Sequence, residues 1–256
     1  MPDRDEKTAV PTRQPAHAHP VGSSLRAQQR MLDESEGYRA ICLIDGIKRI
    51  SYIFQANVAQ YNRLVARLQD PAFSLPIFDV RNPTAHDDLL SEAERLLHNV
   101  LASMSTRIDQ QRAFMKKHFS DDAELTEAYQ ARIATTFSAD MLSKFIKDLR
   151  NQMTHNQLPV AQSEQTFTSE SMSITFTLPC KPLLEWDNWS SGVKDWIGSH
   201  GKTIPIVDVV GEYAGKAADL DKWLSDQIGL KYANEIRGYR QAAEAYQREH
   251  DRVFGL

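Results

Sequence analysis

The sequence predicts an all-α fold, a bundle of roughly five to seven helices with one small β-hairpin inserted at about residues 163–179. Three observations predict it. Apolar residues recur at steps of three and four along most of the chain, the step changes to two over one short segment, and no segment reaches the length of a membrane span.

The helical stripes can be read in order. Ile47, Ile50, Phe54, Val58, Tyr61, Val65 and Leu68 line one face of a helix of about six turns. Asp70-Pro71 to Pro83 is rich in proline and ends it. Thr84 with Asp87 forms a capping signal for the next helix, whose stripe is Leu89, Ala93, Leu97, Val100, Met104 and Ile108. Ser120-Asp121-Asp122 starts a shorter helix marked by Leu125, Tyr129 and Ile133. Ser138 is the expected N-cap of a helix that buries Leu142, Phe145, Ile146, Leu149 and Met153, and Pro159 should stop it near Asn156. Thr166, Thr168, Met172, Ile174 and Phe176 then alternate with polar residues around Ser169-Glu170-Ser171, the signature of a hairpin. Trp186, Trp189 and Trp196 are expected to pack as a loop anchor rather than form a stacking platform. Two long helices close the chain, with stripes Ile206 to Leu224 and Tyr232 to Tyr246.

Residues 1–22 hold four prolines, scattered charges and no period, which predicts a disordered tail. Residues 23–256 then form a single helical domain. His17 and His19 in the tail lack a third ligand, so no metal site is expected there. A net charge of -4 argues against a global nucleic-acid field and confines any RNA contact to a local patch. Cys42 and Cys180 stand far apart without ligand spacing and read as buried, reduced thiols of a soluble cytoplasmic protein. Phosphate loops, nucleophile elbows, zinc-protease helices and Cys-x-x-Cys pairs are all missing, so no cofactor or metal is expected.

One segment carries chemistry: Arg150-Asn151-Gln152-Met153-Thr154-His155, at the expected end of a helix. An arginine, a polar residue, three further residues and a histidine resemble the motif of the HEPN superfamily. The same spacing occurs at Arg81 to His86, where Pro83 points to a loop. A version one residue longer occurs at Arg112 to His118, inside a long helix and without the polar second residue. Only Arg150 to His155 joins an asparagine at the second position to a helix about to end.

The resemblance implies an all-helical frame and a homodimer with a composite site. It also implies metal-independent endoribonuclease chemistry of the toxin or antiphage kind, on RNA and not DNA, with an antitoxin-like protein as a further partner. Helical geometry bears on this, because five residues turn about 500° and leave Arg150 and His155 roughly 140° apart. His155 falls over Asn151, Asp148 and Lys144 on the polar side. One chain alone does not aim both groups at one phosphate, whereas two helices about a two-fold axis can. Arg150, Asn151 and His155 are therefore the catalytic candidates: a donor fork for phosphate, an orienting amide and a general acid or base. The residues leave a second reading open, a non-catalytic helical protein that binds a partner, RNA or a nucleotide. Arginine and histidine in a last turn can also simply cap carbonyls.

Overall fold

The computed structural model describes residues 20–255 apart from 80, 82, 156–161 and 168–171. Most of the tail expected over 1–22, with His17 and His19, lies outside the described residues. So do Ser169-Glu170-Ser171 and the Pro159 stop signal.

The helices are α1 (Pro20–Asp33), α2 (Glu36–Leu68), α3 (Pro71–Ser74), α4 (Pro83–Phe119), α5 (Ala123–Ile133), α6 (Met141–His155), α7 (Cys180–Leu184), α8 (Val193–Ser199), α9 (Ile206–Lys231) and α10 (Ala233–Phe254). A π-helical turn, Ala134–Ser138, continues α5. The strands are β1 (Gln162–Phe167), β2 (Met172–Pro179) and β3 (Thr203–Pro205). No described helix is long and apolar enough to cross a membrane.

The described chain groups into two compact units. The first contains α1, the start of α2 and α10; the second is Leu43–Lys231. Within the first unit Leu25, Leu32, Ala40 and Ile236 are buried, whereas Cys42, expected to be buried, is exposed. There Gly37 is required by close approach, since a Cβ would overlap the Glu235 carbonyl and crowd Tyr239.

The second unit carries the large core. The expected stripes pack into it: Phe54, Val58, Tyr61 and Leu68 from α2, Leu89 to Met104 from α4, and Leu142, Phe145, Ile146 and Leu149 from α6. The hairpin is present, with β1 and β2 antiparallel and Phe167 opposite Met172. Ile174, Phe176 and Leu178 all point inward, as their alternation requires. A third strand extends the hairpin: β3 pairs antiparallel with the end of β2, placing Ile204 opposite Leu178.

Several helix starts differ from expectation. Pro83 begins α4 rather than breaking it, because a proline in the first turn has no N–H to waste. The Thr84 cap therefore falls inside the helix. Asp122 caps α5 as expected, its Oδ1 accepting from the Leu125 N–H at 3.1 Å. Ser138 does not cap α6, because it sits in the π-helical turn; Asp140 performs that role.

The α4 stripe also turns away from Ile108, which is only partly buried, and runs on through Arg107, Gln111, Met115 and Phe119. Arg107 is 2% exposed. Its Nε donates to Asp221 on α9 at 3.2 Å, and its Nη2 bonds both Asp221 and the Ala217 carbonyl. Gln111 donates to the same carboxylate at 2.8 Å and accepts from the Tyr129 hydroxyl at 3.2 Å. A buried charge is tolerated where it is paired and its remaining valences are bonded, and this network meets both conditions.

Candidate functional site at the end of α6

The helix that carries the motif is fixed from several sides. At its start the Asp140 carboxylate accepts from the Ser143 N–H at 2.9 Å and from the Ser143 hydroxyl at 2.6 Å. Lys216 on α9 adds a bond to it at 2.8 Å. Burial alone would push the Asp140 carboxyl upward, but the bonds from Lys216 and Ser143 outweigh it and hold the group below its ordinary value. Asp140→Ala is expected to lower stability by about 1–2 kcal/mol at neutral pH. A depressed carboxyl contributes fully above its unfolded value near 3.9 and loses that contribution as pH falls through the folded value. The gap in melting temperature between wild type and variant should therefore close below about pH 4. A gap that stays constant in acid would contradict the assignment.

Phe145 in the middle of α6 stacks on Trp189, ring centroids 5.6 Å apart, and meets Trp196 at 4.8 Å. The Trp189 indole N–H donates to the Leu183 carbonyl at 2.8 Å. The tryptophans thus pack and anchor, and the loop they hold clasps α6 in turn. Asp148, expected on the polar side, is 4% exposed. It accepts from the Ser190 N–H at 2.7 Å and from its hydroxyl at 3.1 Å. The reason for the difference is that a loop covers this edge of the helix and leaves two donors that only an acceptor can satisfy.

What remains open on α6 is an arc carrying Lys144, Lys147, Asn151 and Thr154, each exposed or half-buried. Arg150 lies at the border of that arc and is half-buried. Its Nη1 donates to Asn151 Oδ1 at 3.3 Å, a long contact, and its carbonyl accepts from the Thr154 hydroxyl at 2.9 Å. The structure therefore joins two of the three candidates, Arg150 and Asn151. His155 closes α6, and its side chain lies outside the described residues. Gln152, between them, is buried, and its Oε1 finds no donor among the described residues.

The look-alike motifs behave differently. Arg81 is held by Asp79, with Nη2 to Oδ2 at 2.5 Å and Nε to Oδ1 at 2.9 Å, while His86 Nε2 meets the Ser163 hydroxyl at 3.0 Å. Arg112 faces Asp109 at 3.6 Å on the uninterrupted α4. Among the described residues Arg150 bonds no carboxylate, and neither do Lys144 and Lys147. Three cations on one helix thus form no ion pair among the described residues, a condition that suits an anion.

No family model, curated protein or solved structure matches this chain. The site must therefore be judged on its own geometry. Among the described residues no group of three or more His, Cys, Asp or Glu side chains is placed to hold a metal ion. Sequence reading did not anticipate Lys147 or the Asp148–Ser190 clasp. The lysine had a signal, lying three residues before Arg150 and three after Lys144 on one helical face. The clasp had none, because Asp148 and Ser190 are far apart in sequence.

Proposed function

We propose that this chain is a cytoplasmic, homodimeric, metal-independent endoribonuclease of the HEPN type, with a composite site built from Arg150, Asn151 and His155 of two copies. The observation that carries the reading is the state of Arg150. Of Arg150, Arg81 at the same spacing and Arg112 at one residue more, Arg150 alone has no carboxylate partner among the described residues, while Asn151 accepts from its Nη1. A guanidinium left free in this way offers a planar fork of donors to a phosphodiester.

In the proposed reaction one His155 imidazole takes the proton from a ribose 2′-hydroxyl. The 2′-oxygen attacks the adjacent phosphorus, and the bond from phosphorus to the 5′-oxygen breaks. The imidazolium so formed returns that proton to the leaving 5′-oxygen. The products are a 2′,3′-cyclic phosphate and a 5′-hydroxyl, so charge and protons balance. Arg150 stabilises the charge that grows on the non-bridging oxygens. Deoxyribose lacks the nucleophile, so DNA is not cut. A toxin or antiphage setting with an antitoxin-like partner accords with such an activity.

The test is direct. Purified protein is incubated with RNA in excess EDTA, and its solution mass is measured. Cleavage to cyclic phosphate ends by a dimer is the expected result. Failure to cut any RNA, dependence on a metal, or a strict monomer at micromolar concentration would sink the reading and leave a non-catalytic binding protein.

A further inference from the structure

A cavity of about 330 Å³ opens among α4, α5, the π-helical turn, α6 and α9, apart from the motif at the end of α6. Its size is at the low end of ligand pockets, roughly 300–1,000 Å³, and suits one small molecule rather than a polymer. A π-helical turn in its wall is the kind of helix irregularity that recurs at functional sites.

The lining has a definite chemistry. Arg107, Arg112, Lys144 and Lys147 all contribute to it, and no carboxylate does. Arg107 is balanced from behind by Asp221, so the surplus positive charge comes from the other three, which are exposed or half-buried and mark the mouth. Arg112 is only loosely held by Asp109 at 3.6 Å. Ile108, Ile133, Phe137 and Leu220 supply an apolar part of the wall, beside the polar Gln111, Gln130, Ser138, Ser143 and Ser190.

Two buried side chains, Arg107 and Tyr213, line this space and each keeps a donor that no described residue engages. Arg107 spends its Nε and Nη2 on Asp221 and Ala217, which leaves Nη1 without a bond among the described residues. The Tyr213 hydroxyl likewise has no partner among the described residues, although the ring is packed edge-on against Phe54 and Phe137. Burial pushes the Tyr213 hydroxyl up to about 12, so it remains a donor at neutral pH. Both donors open on the cavity, where a guest with acceptor atoms can take the place of water.

We propose that this cavity binds one nucleoside monophosphate. Its phosphate meets Lys144, Lys147 and Arg112 at the mouth, its flat base lies on the Phe137 side of the apolar wall, and base acceptors take the hydrogens of Arg107 Nη1 and Tyr213 Oη. Each half of such a ligand matches a different part of the lining. Inorganic phosphate uses only the mouth, and a free nucleoside uses only the interior. The site is separate from Arg150 and stands whether or not α6 carries a ribonuclease.

Calorimetric titration of the full chain with AMP, GMP, CMP and UMP in turn tests this, with inorganic phosphate and adenosine as controls. At least one nucleoside monophosphate should saturate one site per chain, about tenfold or more tighter than either control. Lys144→Gln with Lys147→Gln should weaken that binding by at least about tenfold without lowering the melting temperature, since both side chains lie at the surface. Tyr213→Phe keeps the ring and should weaken it by a few-fold. No saturable binding by any of the four, binding undiminished in the double-lysine variant, or inorganic phosphate matching the nucleotides would each overturn the proposal.

Discussion

Replacing Asp221 with alanine is expected to lower the stability of the Leu43–Lys231 unit by about 3–5 kcal/mol, which for a body of this size is a fall in melting temperature of roughly 6–20 °C. The effect is large because the deletion strands its partners. Arg107, nearly fully buried, loses the carboxylate that takes its Nε and Nη2, and the Gln111 amide loses its acceptor. The bond from Tyr129 to Gln111 depends on the same amide staying in place. Removing both ends should hurt far less than removing one, because an apolar pair of similar volume leaves no orphaned charge. Arg107→Met with Asp221→Leu is therefore expected to recover most of what Asp221→Ala loses. Chemical denaturation of the three variants would check this. A single-variant loss below about 1 kcal/mol, the size found for surface pairs, would show that the network is not buried as described.

The second large effect concerns catalysis. His155→Ala should reduce RNA cleavage by about 100- to 10,000-fold, the range for removing a general acid or base. Arg150→Ala should reduce it by about 100- to 1,000-fold, as for loss of a donor to a developing oxyanion. Arg150→Lys should not restore the rate, because an ammonium lacks the planar fork. Melting temperature should change little in the arginine variants, since Arg150 is half-buried and, among the described residues, its side chain bonds only Asn151, at 3.3 Å. Single-turnover rates beside thermal melts separate the two readouts. A variant that loses activity only in proportion to lost folded protein would mean that Arg150 is structural.

The fold was legible in the sequence wherever a long apolar stripe repeats, because a face of Phe54, Val58, Tyr61 and Leu68 has only one regular way to be buried. The hairpin was legible for the same reason at period two. Short or long-range features were not. Three residues of β3 are too few to show a period. The π-helical turn follows α5 with no distinguishing composition. Asp140 caps α6 in place of Ser138 because Ser138 is taken up in the π-helical turn. Asp148 reads as polar surface until Ser190 folds over it.

The candidate site was legible in part. The pair Arg150 and Asn151 was found from spacing, and the structure brings them into contact. The buried Arg107 and Asp221 could have been suspected, since each charge falls on an otherwise apolar stripe. Lys144 reads as part of the polar side of α6, and no sequence pattern shows the cavity that it and Lys147 border.

The central claim is that Arg150 of one chain works with His155 of another. The most direct test is a heterodimer made by co-expressing differently tagged Arg150→Ala and His155→Ala chains and purifying the mixed species. Such a heterodimer keeps one intact arginine and one intact histidine on opposite chains. Cleavage well above that of either variant homodimer is the expected result. A heterodimer as inactive as both parents would contradict a site shared across the two-fold axis.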